Sequence, residues 1–144
     1  MKNFFYAVGI IFLSSSSIAH DDVQNKAVKA RMQAMKEIAS NIKALKGIAK
    51  GSVSFDNSKA GAIVLQIADI AKKVPSLFEQ EETDPKSKAK PEIWFDYEDF
   101  SLRAKRLEKV AFNLSKTISN PQDLKMAMRQ LGGACKSCHE LYKN

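Results

Sequence analysis

The chain has 144 residues, a formal net charge of +7 and two cysteines. That length predicts one domain. The positive balance suits acidic partners, membranes or nucleic acid, but no long basic block interleaved with aromatics supports nucleic-acid binding.

The first segment reads as a secretory signal peptide over residues 1–19. Lys2 gives a positive start, Phe4 to Leu13 is an apolar run, and Ser14 to Ser17 lead into Ile18 and Ala19, a small-residue cleavage pattern. The run is too short to cross a bilayer, so no stable membrane anchor is expected after cleavage; the alternative is an uncleaved anchor. Export makes nucleic acid a poor partner and, in a bacterial cell, means the periplasm. Residues 20–144 then form the working domain.

Four helices are predicted, each with the apolar spacing of a bundle. In the first, Val28, Met32, Met35, Ile38, Ile42, Leu45 and Ala49 step by threes and fours, and Gly51 and Ser52 end it. In the second, Ile63, Ile67, Ile70, Val74 and Leu77 repeat the pattern, with Asp56, Asn57 or Ser58 as cap. Glu79 to Lys90 is the one long loop. Pro91 opens the third helix, which carries Trp94, Leu107, Val110, Leu114 and Ile118. Asn120 caps the fourth, Pro121 takes its first position, and Leu124, Met128, Leu131, Cys135, Cys138 and Tyr142 form its stripe. No strand-like alternation or internal repeat is evident. The fold class is all-α, an antiparallel up-down-up-down four-helix bundle.

The chemistry sits in "ACKSCHELYKN" at the C-terminus. A disulfide between Cys135 and Cys138 closes too short a loop to constrain the unfolded chain much. C-x-x-C-H has a more specific use: two thiols add to the vinyl groups of haem, and the adjacent imidazole, here His139, becomes an axial iron ligand. One covalently attached haem c is therefore predicted. Cys135 and Cys138 straddle the apolar stripe and His139 follows one turn beyond Cys135. Gly132 and Gly133 weaken the helix by up to ~1 kcal/mol each against alanine, a tolerable cost if something bulky approaches there. A zinc site needs about four ligands, and a thioredoxin-like dithiol normally accompanies a βαβ pattern; both are weaker readings.

The other face of the iron decides the function. Five-coordinate iron binds gases, whereas six-coordinate iron mostly passes electrons. Met35 lies near the centre of the buried face of the first helix and Met32 to one side; Met128 shares a helix with His139, and Met126 falls off its stripe. Met35 either ligates the iron or fills the core, as methionine commonly does. Arg31 falls on the same apolar face, where a charge needs a partner. It either grips a haem propionate with a two-pronged hydrogen bond or extends its head to water. Lys125, Arg129, Lys136 and Lys143 share one face of the last helix: a solvated face, or a surface that steers an acidic redox partner.

The chain resembles the class II cytochromes c, the family of cytochrome c prime and its low-spin relatives. The resemblance covers nearly all of residues 20–144 and rests on "ARMQAMKEI", "LKGIAKG", "SFDNSKAGA", "VPSLF", "KAKPEIWFDYEDF" and "ACKSCHELYK", of which the last two are the most specific. It implies that Cys135 and Cys138 form the thioethers, that His139 is the proximal ligand, and that Arg31 lies near a propionate. Met35 falls on the distal position, which is a ligating methionine in the low-spin branch and a non-ligating side chain in the high-spin branch. Lys143 falls where a basic residue, more often arginine, adjoins the haem edge. The family implies a monomer or a homodimer. The expected function is a periplasmic electron carrier with His139 and Met35 on the iron, not an enzyme, since no catalytic base or substrate pocket is evident. The alternative is a high-spin protein that binds nitric oxide or carbon monoxide.

Overall fold

The computed structural model describes residues 23–144; the signal segment of residues 1–19 lies outside the described residues. Among the described residues five helices follow in order: α1 Lys26–Ala49, α2 Asn57–Leu77, α3 Glu92–Phe95, α4 Tyr97–Ser115 and α5 Pro121–Tyr142. The four long ones form a closed ring, with α1 against α2, α2 against α4, α4 against α5, and α5 back against α1. None of the described helices is long and apolar enough to cross a membrane.

The helix ends follow local chemistry. Asn25, Asp56 and Asn120 each accept a backbone N–H from the first turn they precede, which satisfies donors the helix itself leaves unpaired. After α1 the amides of Gly51 and Ser52 return to the carbonyls of Ile48 and Gly47. This paired closure needs a left-handed residue, and Gly51 supplies it with φ of 77°.

The expected third helix is two. Asp96 leaves helical geometry at φ −132° and ψ 57°, ending α3 through its N–H to Glu92 and capping α4 through its carboxylate to the Asp99 amide. An aspartate side chain competes for nearby backbone donors, so the break is a property of that residue. Pro91 precedes α3 as its cap, and Ile118, expected in the helix, lies beyond its end yet remains buried.

Two buried clusters make the core. The larger joins Ile38, Leu45, Ile67, Ala111, Leu124 and Leu131, among others. The second, aromatic, cluster is Val74, Phe78, Ile93, Phe100, Ala104 and Tyr142. The rings pack tilted or edge-on: Phe78 and Phe100 are 5.0 Å apart, Phe100 and Tyr142 5.4 Å.

The α2–α4 contact is the most extensive in the bundle. Small residues explain it: Ala60, Gly61, Ala68 and Ala71 on α2 and Ala104 and Ala111 on α4 are all buried. A Cβ placed on Gly61 would lie 2.7 Å from the Ser115 carbonyl oxygen. Gly61→Ala is therefore expected to destabilise the protein by about 1–3 kcal/mol, despite alanine's better helix propensity. Denaturant unfolding measures this; equal or greater stability would show that the helices separate freely.

Candidate functional site

The site is built where α5 passes α1 on one side and the aromatic cluster on the other. Cys138 and Met35 both pack against the aromatic cluster, and Met35 also touches the larger cluster. The sequence thus brings a thioether from α1 and a thiol from α5 to one wall. Cys135, about 60° round the helix from Cys138, reaches the rim of this wall. It lines an open cleft of about 500 Å³ with Ile42, Lys46 and Ala49 of α1 and Lys125, Met128, Arg129 and Gly132 of α5.

This cleft exists because α1 and α5 make the least extensive contact of the adjoining long-helix pairs. A Cβ added to Gly132 or Gly133 would meet nothing within 4 Å. Neither glycine is required by close helix packing, in contrast to Gly61. The open space, the apolar side chains of Ile42, Ala49 and Met128 and the thiol at its edge suit a flat apolar group attached to α5.

Both cysteines are free thiols, and burial raises the pKa of each. His139 is exposed on α5. Partial burial of the ring first, and then the charge of Lys143, lower its pKa, which favours the neutral imidazole needed for metal binding. Among the described residues no group of three or more His, Cys, Asp or Glu side chains could hold a metal ion by itself.

Arg31 is buried, with 3% of its surface exposed. Its Nε donates to the Leu77 carbonyl at 2.7 Å, and its terminal nitrogens to Glu82 at 2.9 Å and Gln80 at 2.6 Å. The guanidinium also lies over the rings of Phe78 and Trp94, 4.8 and 5.3 Å from their centroids. Burial lowers its pKa, and the charge of Glu82 acts against that. The head does not reach to water as one reading of the sequence allowed.

Lys143 departs from the expected helical face. It is the C-cap of α5 with an extended backbone, φ −132° and ψ 134°. It pairs with Ala89 in an isolated antiparallel bridge, and the Lys90 and Asn144 amides bond to Tyr142 and Lys88 carbonyls. The long loop, not the helix, directs the last residues.

Met128 lines the Cys135 cleft and Met126 is exposed, so neither shares the wall of Met35. Lys46 was missed from the sequence. It lies four residues after Ile42 and three before Ala49, on the same stripe as both. A network behind α5 was also missed. Tyr142 donates to Asp99 at 2.6 Å, and Arg103 bonds both Asp99 and the Ser137 carbonyl. Burial, then the Asp99 hydrogen bond, pushes the Tyr142 hydroxyl up to about 12.

A family model described as Cytochrome C' matches residues 26–143. Cytochrome c-556 of Rhodopseudomonas palustris is 27% identical over 149 residues, spanning 100% of this chain and 97% of that one. A structure of cytochrome c' from the same organism superposes with a TM-score of 0.77 at 29% identity, covering 84% of this chain and 98% of that chain. A nitric oxide complex of a mutant cytochrome c prime from Alcaligenes xylosoxidans gives a TM-score of 0.71 at 26% identity, covering 82% and 94%. The fold is thus the four-helix bundle of these proteins, and the cofactor is haem c, whose attachment motif Cys135 and Cys138 fit.

The three carbonyls on Arg31 carry a prediction. Arg31→Lys keeps the charge but leaves at least one buried carbonyl unpaired, and should cost about 2–5 kcal/mol in denaturant unfolding. A loss below about 0.5 kcal/mol would mean that solvent or the loop replaces these bonds.

Proposed function

We propose that this chain, which belongs to the cytochrome c' family, is an exported periplasmic electron carrier with one haem held by His139 and Met35. The observation that carries the reading is the placement of Met35. It is the one of the four candidate methionines that packs on the aromatic wall together with Cys138.

The bound haem supplies an iron that alternates between ferric and ferrous states. Cys135 and Cys138 attach it from α5, and His139 offers a neutral imidazole on the same helix. Met35 offers a thioether from α1, which favours the ferrous state and raises the potential relative to a second histidine. Met35 packs on both core clusters and Cys138, next to His139, on the aromatic one, so the ligands would change position little when the charge changes. Arg31 uses three of its five N–H groups on carbonyls, and the remaining two would be its donors to a propionate. Lys143, beside His139, adds positive charge near the haem edge. Electron transfer of this kind needs no catalytic base.

The cleft beside Cys135 supports an acidic redox partner. Lys46, Lys125 and Arg129 line it and no acidic residue does. Lys136 is partly offset by Glu140 at 3.4 Å, so the lining cations, not the whole basic face of α5, carry the steering.

A second reading has its own support in the nitric oxide complex of the Alcaligenes relative. Met35 would then only fill the distal side, and the iron would stay open to small gases.

Absorption spectra of the reduced holoprotein separate the two. The first reading predicts a low-spin spectrum barely altered by carbon monoxide, and a change to high spin in Met35→Ala. A high-spin native spectrum that shifts readily with the gas would favour the second. The lining charges are tested separately with an anionic oxidant, ferricyanide. Neutralising Lys46, Lys125 and Arg129 to glutamine should slow oxidation about tenfold at low ionic strength and flatten its salt dependence. An unchanged rate would remove the steering role.

A further inference from the structure

His139 lies three residues before the end of α5, in the last turn. Last turns fray, because their carbonyls lack partners within the helix. An imidazole that must hold a fixed direction is poorly placed on such a turn unless something outside the helix secures it.

The structure contains that external support. Arg103 of α4 donates from its terminal nitrogen to the Ser137 carbonyl at 3.0 Å. The same side chain bonds the Asp99 Oδ2 atom at 2.5 Å, and the Tyr142 hydroxyl donates to that oxygen at 2.6 Å. Asp99 therefore ties together two donors, one leading to residue 137 and the other to residue 142. Cys138 and His139 fall between these two anchor points. The support is stiff. Asp99 sits in the first turn of α4, its amide bonded to the Asp96 carboxylate, and the Tyr142 ring packs edge-on against Phe100. The loop adds a third tie, through the Lys90 amide to the Tyr142 carbonyl at 3.0 Å.

We infer that Arg103, Asp99 and Tyr142 are positioning residues for His139, bracing the turn between Ser137 and Tyr142 against α4 so that the imidazole keeps one direction. The brace touches the backbone on either side of His139, so it acts through that backbone. It rests on His139 binding iron and is independent of what Met35 does.

The test uses the ferric holoprotein and two conservative changes. Tyr142→Phe keeps the ring and every charge but removes the bond to Asp99. Arg103→Lys keeps the charge but has one head group for two separated acceptors. Ile67→Val, in the larger core cluster, serves as a control that lowers stability without touching the brace. The readout is the set of hyperfine-shifted haem-methyl proton resonances of the low-spin ferric cyanide adduct, in which they depend on the direction of the axial imidazole whether or not Met35 binds iron. Both brace variants should move these resonances by more than the native linewidth, and the control should not, at a comparable fall in Tm. Native resonances in both brace variants, with only a lower Tm, would overturn the inference. So would an equal displacement in the control. A His139→Ala spectrum identical to the native one would overturn its premise, by a result separate from that of the brace variants.

Discussion

A guanidinium buried in the apolar stripe of α1 is the constraint around which the rest of the site is arranged. An unpartnered charge there would be prohibitively costly. Arg31 meets that demand with the carbonyls of Leu77, Gln80 and Glu82, so the chain leaving α2 must fold back over α1. That path places Phe78 against one part of the guanidinium and brings Trp94 to it as well, with the indole N–H on the Phe78 carbonyl. Further along, the Asp84 carboxylate accepts the Gln24 and Asn25 amides, and hydrogen bonds to backbone N–H groups lower its pKa. The loop then reaches residues 88–90 and pairs with the C-terminus. One segment thus joins the start of α1, the end of α2 and the end of α5. The aromatic wall that receives Met35 and Cys138 follows from that path.

The bundle is closed tightly on one side and left open on the other. Alanines and Gly61 let α2 and α4 approach until backbone nearly meets backbone. Between α1 and α5 the facing residues include Ile42 and Met128, and the helices stay far enough apart for a cleft. Gly61 and Gly132 are the same residue in helices of the same fold, yet one is filled by its neighbour and the other faces open space. The first serves helix packing. The second borders the open cleft between α1 and α5.

What was legible in the sequence was local. The haem motif, the Asn120-Pro121 start of α5, the cap of α2 within Asp56 to Ser58 and the Gly51 stop all depend on neighbours within a few residues, and the structure shows these starts and stops, with Asp56 as the cap. The stripes of α1 and α5 were legible for the same reason. What was not legible was long-range. The acceptors of Arg31 are 46 to 51 residues away in the chain, and the Tyr142–Asp99 bond spans 43. No spacing rule connects such pairs. The break at Asp96 was local, but its apolar pattern continued on both sides and masked it. The helical period carries Lys143 onto the basic face of α5, whereas the bridge to Ala89 draws the backbone out of the helix.

The two cysteines divide the duties of α5. Three residues apart on a helix, they point only ~60° from one another, so one attached group can take both. Yet their surroundings differ. Cys138 is turned to the closed aromatic wall, where Tyr142 and Phe100 leave little freedom, while Cys135 borders the open cleft with its three cations. A carrier needs both conditions at once: fixed iron geometry, so that gaining an electron rearranges little, and an accessible edge, so that a partner can approach. In the proposed carrier, spacing the thiols across the rim of the core would meet both needs with one helix. The brace to α4 lies on the closed side and the cations lie on the open one, so changes at either side can be made without disturbing the other.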